Sequence, residues 1–222
     1  MPHSQTPAAN REISEATIIR LPGYLRALEE LAEQGVKTVS SNELAEASAV
    51  QPALLRRDLS HFGSYGTRGV GYDVDLLIHE IGVHVGSEHT WRVVLVGAGN
   101  LGQALARHSG LASRGFRLVA LIDTNPDIIG SVVSRVEISD DSQLEEIVRR
   151  SRANIAVVTT PPAVAQSTVD RLVASGIRSI LNFAPVVLDV PPDVALRSVD
   201  FAQELQILAY HEAHRDQSGE DT

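Results

Sequence analysis

The stretch Val93-Val94-Leu95-Val96-Gly97-Ala98-Gly99-Asn100-Leu101-Gly102 constrains this chain more than any other. An apolar run ends in glycines spaced Gly-x-Gly-x-x-Gly, and a helical pattern follows. Gly97 permits the tight turn out of a strand, Gly99 lets the backbone approach a pyrophosphate, and Gly102 lets the helix lie close to the sheet. The backbone of Ala98, Asn100 and Leu101 lies between them, and the helix start offers free N–H groups to phosphate. A second apolar run, Arg117-Leu118-Val119-Ala120-Leu121-Ile122, ends at Asp123, twenty-one residues beyond Gly102. A carboxylate at that spacing accepts the ribose hydroxyls of an adenine dinucleotide. Asp123 also repels a 2′-phosphate, and Thr124 and Asn125 bring no arginine to hold one, which favours NAD(H) over NADP(H). A tight strand–helix turn without a ligand stays open as the plainer reading.

The chain has 222 residues, room for one large or two small domains, and no apolar run of membrane-spanning length. Its first dozen residues lack the apolar centre of a secretory signal, so a cytoplasmic location is the expectation. The absence of cysteine excludes disulfides, thiolate metal sites and thiol-based redox sensing; a redox response must come through a bound molecule. A net charge of −9 argues against indiscriminate nucleic-acid binding but leaves room for a local basic patch. Lys37 is the one lysine, so positive charge is almost all arginine, suited to bidentate contacts with phosphate or guanine.

Residues 1–13 read as a disordered tail and 14–85 as a winged-helix domain. A helical pattern begins at Ser14, breaks near Pro22-Gly23, resumes through Leu25, Leu28 and Leu31, and ends at Gly35. Ser40-x-x-Glu43 forms a capping box before Leu44 and Ala45. After a turn at Ser48–Val50, Pro52 opens a helix with Leu54, Leu55, Leu59 and Phe62 on its buried face. Helix, turn, helix in this order is a helix-turn-helix unit. Arg56, Arg57, Ser60 and His61 project between the buried positions as candidate DNA contacts. Residues 63–72 hold four glycines, with Tyr65, Val70 and Tyr72 as strand residues: a small hairpin, or wing, with Arg68 at its tip. A solvated face is the plainer reading of the helix alone, and the adjoining wing makes duplex DNA the better one. Residues 73–90 read as a connector with a short helix around Leu76–Val83.

Residues 90–200 alternate strands, near 92–96, 117–122, 154–159, 178–182 and 196–199, with helices near 100–109, 140–151 and 162–175. Alternation implies a doubly wound parallel sheet, a Rossmann domain, so the fold class is α/β. Strand ends of such a sheet line the ligand crevice. That makes Thr159, Thr160 and Pro161 cofactor candidates, although Thr160 and the prolines also make an ordinary helix start. Asn182 and Phe183 end the fifth strand and are candidates for framing the nicotinamide. Residues 201–214 read as a last helix with Phe201, Leu205, Leu208 and Ala209 in a stripe, and 215–222 as a disordered tail. His211 and His214 share a helix face but lack a third ligand, so no metal is expected.

These motifs, in this order, resemble the Rex family of bacterial redox-sensing repressors from about Ile18 to His211. The most specific stretches are Arg56 to Gly63, Tyr65 to Tyr72, Val96 to Gly102, Ile180-Leu181-Asn182-Phe183-Ala184-Pro185 and Val199-Asp200-Phe201. The resemblance implies a transcriptional repressor that senses the NADH/NAD+ ratio and is not an enzyme. It implies a homodimer, a last helix swapped onto the partner subunit, and binding to inverted-repeat operator DNA that NADH abolishes. It places Phe201 in the nicotinamide region and makes Arg26 and Asp200 a switch pair. At His108 some family members carry a tyrosine that partners the aspartate; histidine can hydrogen-bond Asp200 as well.

An NAD-dependent dehydrogenase is the rival reading. It needs a proton donor or metal beside the nicotinamide. The chain offers no Tyr-x-x-x-Lys pair, no cysteine and no lysine beyond Lys37. His108, the histidine of the Rossmann core, lies near the phosphate-binding helix. A dinucleotide-gated subunit acting on another protein is a third possibility, opposed by the basic helix and wing.

Overall fold

The computed structural model describes residues 13–63, 66–67 and 70–215. The chain divides into two compact units, Met1–His89 and Thr90–Thr222. The expected tails, 1–13 and 215–222, lie outside the described residues apart from Ile13 and Arg215, as do Tyr65 and Arg68.

The first unit comprises α1 (Glu15–Glu33), β1 (Thr38–Val39), α2 (Ser41–Ala47), α3 (Pro52–Leu59), β2 (Gly66–Thr67), β3 (Gly71–Asp73) and α4 (Val74–Val85). Ser14 caps α1 by accepting from the Thr17 N–H, and Leu21, Tyr24, Ala27 and Leu28 form its buried stripe. The helix runs straight through Pro22, where a break was expected. Pro22 and Gly23 lie on the exposed face, so the Ile18 carbonyl that loses its N–H partner is left to solvent. The Ser40/Glu43 capping box is present in both directions, and Pro52 opens α3 at its first turn. The wing strands β2 and β3 pair antiparallel, and β1 adds a third strand in the order β1-β3-β2. The expected connector is a core element. α4 spans twelve residues from an Asp73 cap to a left-handed Gly86, and buries Val74, Leu77 and Ile81 against Leu21, Leu28, Leu44, Leu55 and Leu59.

The second unit comprises β4 (Trp91–Val96), α5 (Asn100–Arg107), α6 (Gly110–Ser113), β5 (Phe116–Asp123), β6 (Val132–Val133), β7 (Val136–Asp140), a 3-10 turn at Asp141–Gln143, α7 (Leu144–Ser151), β8 (Ile155–Val158), α8 (Pro162–Ala174), β9 (Ser179–Asn182), β10 (Ala195–Ser198) and α9 (Phe201–Ala213). Its sheet runs β10-β9-β8-β4-β5-β7-β6, with only β6 antiparallel to its neighbour. Numbered among themselves, the parallel strands follow the 3-2-1-4-5-6 order of the dinucleotide-binding fold. Strand order reverses between β4 and β8, so the chain leaves their carboxyl ends in opposite directions and opens a crevice there.

Two strands of this unit went unread in the sequence. β7 buries only Ile138 of its five residues and lacks the apolar run of the central strands, and β6 is two residues long. α9 buries none of its side chains: Phe201, Leu205, Leu208 and Tyr210 are 69 %, 59 %, 62 % and 62 % exposed. No described helix is long and apolar enough to cross a membrane.

Candidate dinucleotide cleft and nucleic-acid interface

The three glycines of the β4–α5 turn are required for three separable reasons. Gly97 has φ +101°, and a Cβ there would lie 2.7 Å from the Thr159 carbonyl carbon. At Gly102 a Cβ would lie 1.9 Å from the Gly97 carbonyl oxygen, so the first turn of α5 lies directly on the turn that precedes it. Gly99 has an ordinary φ of −67°, and a Cβ there would meet nothing within 4 Å. Neither backbone nor packing demands glycine at 99; what the residue keeps clear is space in front of the α5 N-terminus. Gly99 caps that helix without a side-chain hydrogen bond, so the first N–H groups there remain for a ligand.

The open space is part of a 670 Å³ cleft lined by Gly97, Gly99, Asp123, Thr159, Thr160 and Pro161, among others. Asp123, at the end of β5, accepts from the Ala98 N–H at 2.5 Å and the Asn125 N–H at 2.8 Å. Each carboxylate oxygen retains a lone pair, so the group can shape the turn and still receive a ribose hydroxyl. Thr159 Oγ1 donates to the Gly97 carbonyl at 2.6 Å, which ties β8 to the turn. Thr160 Oγ1 is buried and finds no partner among the described residues, an orphan polar atom at the cleft wall. The cleft therefore fits an adenine dinucleotide: an uncapped helix start behind a glycine, a carboxylate for ribose, and a hydroxyl lacking a partner.

One component of the cleft escaped sequence reading. Arg171 of α8 donates to Asp141 Oδ2 at 2.5 Å and to both Glu145 carboxylate oxygens at 2.6 and 3.1 Å. Hydrogen bonding to Arg171 holds the Glu145 carboxyl down at about 2. The partners lie 26 and 30 residues away in sequence, and no local pattern joins them.

Other sequence candidates are placed differently. Asn182 is fully buried and closes its own turn, with Nδ2 donating to the Ala184 carbonyl and Oδ1 accepting from the Ala184 N–H, both at 2.9 Å. Phe183 is half-buried, and its N–H donates to the Val158 carbonyl at 2.8 Å. Neither lines the cleft, and neither does Phe201, exposed on α9. Asp200 caps α9 by accepting from the Ala202 and Gln203 N–H groups at 2.9 and 3.3 Å. His108 ends α5 at the end opposite the glycine turn, in a separate groove beside Arg92, Arg107 and Arg117. Among the described residues no hydrogen bond joins His108 to Asp200 within one chain. Arg26, on α1, pairs with Glu30 at 3.0 Å.

In the first unit α2, the turn and α3 present Arg56, Arg57 and Ser60 outward. Arg56 Nη1 donates to Ser41 Oγ at 3.1 Å, and Ser60 Oγ donates to the Arg57 carbonyl at 2.6 Å. α3 stops at Leu59, so Ser60 caps the helix and the half-buried His61 sits in the following turn rather than on the helix. Arg68 lies outside the described residues.

Asp58, unnoticed in sequence, is the buried acid of this unit. It receives hydrogen bonds from Thr17, Arg20 and Tyr24 on α1. Leu55, Asp58 and Leu59 stand at i, i+3 and i+4, the spacing that would have placed it on the buried face. Burial alone would push its carboxyl up, but the hydrogen bonds and the Arg20 charge outweigh that and hold it below the usual range. Burial, reinforced by Asp58, pushes the Tyr24 phenol up to about 12.

Comparison with known proteins joins the two units. A family model described as "Putative DNA-binding protein N-terminus" matches residues 12–60, and one described as "CoA binding domain" matches residues 88–186. The redox-sensing transcriptional repressor Rex of Streptomyces griseus is 53 % identical over 96 % of this chain and 83 % of its own length. The chain belongs to the Rex family of redox-sensing transcriptional repressors. Rex of Desulfitobacterium hafniense is 44 % identical over 90 % of this chain and 95 % of its own. A solved Rex-family repressor, RSP in complex with β-NAD+ and operator DNA, superposes with a TM-score of 0.87 at 38 % identity, covering 96 % of this chain and all of that one. RSP in complex with β-NADH superposes at 0.85 with 36 % identity, covering 93 % of this chain and 97 % of that one. Membership in Rex makes the chain a transcriptional regulator with a winged-helix and a Rossmann unit, and the dehydrogenase alternative is not supported.

Proposed function

We propose that this chain is an NADH-released repressor: a homodimer that holds inverted-repeat operator DNA through α3 and the wing, and loses it when NADH fills the β4–α5 cleft. The observation that carries the reading is Gly99. A glycine that neither backbone nor packing requires keeps space open before an uncapped helix, in a chain that also carries a helix-turn-helix. The residues proposed to hold the dinucleotide are Gly97 to Gly102, Asp123, Thr159, Thr160 and Pro161. Thr160 donates the hydrogen bond its buried hydroxyl lacks. Asp123 excludes a 2′-phosphate, and Arg171, committed to Asp141 and Glu145, offers no counter-charge for one. Bound nicotinamide supplies the redox signal, one unit of charge between its two forms. A closed apolar nicotinamide end would disfavour the charged form by desolvation, and each tenfold preference requires about 1.4 kcal/mol.

The apolar side chains of α9 have no cover among the described residues, which supports a helix that crosses to a second copy and carries Phe201 and Asp200 with it. On that reading Asn182 and Phe183 shape the nicotinamide end through their turn, and His108 meets Asp200 between subunits. Arg26 would exchange Glu30 for Asp200 in one of the two states. Arg56, Arg57, Ser60, His61 and Arg68 are the proposed DNA contacts, and the protein works at DNA in the cytoplasm. A mobility-shift titration tests the reading. Micromolar NADH should release operator-bound protein, and NAD+ should not do so at equal concentration. Equal effects of the two, or none from either, would remove redox sensing.

A further inference from the structure

α3 carries one acid on its buried face, and three side chains of α1 surround it. Asp58 is 1 % exposed. Its Oδ1 accepts from Thr17 Oγ1 at 3.0 Å and Arg20 Nη2 at 2.8 Å, and its Oδ2 from Arg20 Nε at 2.6 Å and Tyr24 Oη at 2.8 Å. Thr17, Arg20 and Tyr24 recur at helical spacing, so a single face of α1 makes every one of these contacts. Arg20 uses two donors of its planar fork, a geometry that fixes direction as well as distance.

A buried ion pair is a poor source of stability, because desolvation offsets its attraction; an apolar pair of similar volume is commonly as stable. What directional bonds add is a defined setting. Leu55 and Leu59 alone can slide and roll against α1, whereas a carboxylate held by four donors cannot. Asp58 directly follows Arg57 and lies two residues from Arg56. At a helix radius of about 5–6 Å, a roll of about 15° would shift those side chains by roughly 1.5 Å, beyond the ~0.5 Å within which a recognition site must be held.

Resting on the reading of α3 as the recognition helix, we propose that Asp58, gripped by Thr17, Arg20 and Tyr24, is a positioning residue that sets the roll of α3. In that role it gives the protein its discrimination between operator and unrelated DNA, without touching DNA itself.

The test uses the full chain without NADH and two probes of equal length: a duplex enriched by the wild-type protein from a randomised pool, and an unrelated duplex. In the paired Arg20→Met/Asp58→Leu variant, carried in a Tyr24→Phe background so that no phenol is left buried without its acceptor, the thermal midpoint and NADH affinity should hold. Affinity for the enriched duplex should fall at least about tenfold, the scale of one mismatched base pair, while affinity for the unrelated duplex stays nearly unchanged. Arg20→Lys keeps the charge and loses the fork; it should fold like wild type and lower the ratio of the two affinities by about threefold. A ratio equal to wild type in Arg20→Lys and in a folded paired variant overturns the proposal. If the paired variant does not fold, Arg20→Lys alone decides. Arg57→Ala is the control. Unchanged affinity for the enriched duplex in that variant refutes α3 as the recognition helix, and with it the role of Asp58. Loss there with an intact ratio in the Asp58 and Arg20 variants refutes only the positioning.

Discussion

The two units encode function in different parts of the polypeptide. In the second unit it is written into the backbone: a turn whose glycines differ in backbone conformation and in what a methyl group would strike. In the first, as proposed, it is written into side chains, exposed arginines on a helix that carries a buried acid 34 to 41 residues from the groups that hold it. A backbone device is local and visible as a spacing. A side-chain device is assembled by the fold and visible only when distant segments are brought together.

The largest effect that can break this contrast is at Gly102. Gly102→Val must displace the Gly97 carbonyl from a position 1.9 Å away, so the turn should collapse at a cost of at least about 1–3 kcal/mol, with NADH binding lost. A normal melting point and normal NADH affinity would show that the close approach is not needed. Gly99→Val sharpens the same comparison. A Cβ there meets nothing within 4 Å, so stability should change little while NADH affinity falls tenfold or more, measured by calorimetry. If Gly99→Val lowers stability and not affinity, the space belongs to folding and not to a ligand.

Smaller effects follow at the cleft wall. Asp123→Ala should narrow the preference for NADH over NADPH. Because the carboxylate also receives the Ala98 N–H, it should cost some affinity for both. An unchanged ratio would remove Asp123 from cofactor selection. The smallest effect concerns Glu145, whose carboxyl Arg171 holds at about 2, below its ordinary 4.5. A lowered carboxylate contributes stability that is complete above pH 4.5 and is lost as pH falls from 4.5 towards 2. The melting point of wild type should decline through that window, and Arg171→Gln should flatten the decline while lowering the neutral value. Parallel acid profiles for the two proteins would contradict the assigned pairing.

The same contrast explains what could be read before the fold was known. Gly97 at its positive φ, Gly102 against the Gly97 carbonyl, the Ser40/Glu43 box and Pro52 act within a few residues of themselves, and each performs the local task its type suggests. Propensity misled where tertiary context prevailed. Pro22 sits in an unbroken helix because its face is wet, and α4 looked like a linker until its stripe of Val74, Leu77 and Ile81 met α1. Asp58 stood in plain view at i+3 from Leu55. A charge on an apolar stripe is a signal, but its partners on α1 are beyond any window of helical periodicity. Arg171 and β7 were hidden for a related reason, since the first depends on distant acids and the second buries a single side chain.

The central claim is that the two units are coupled, and coupling is reciprocal by thermodynamic necessity. The direct measurement is NADH affinity, followed by the quenching or enhancement of its own fluorescence, with and without saturating operator duplex. Operator should weaken NADH binding by the same factor by which saturating NADH weakens operator binding, while NAD+ shows a much smaller factor. NADH affinity that is indifferent to operator would contradict the account: the chain would then bind a dinucleotide and bind DNA without either site reporting to the other.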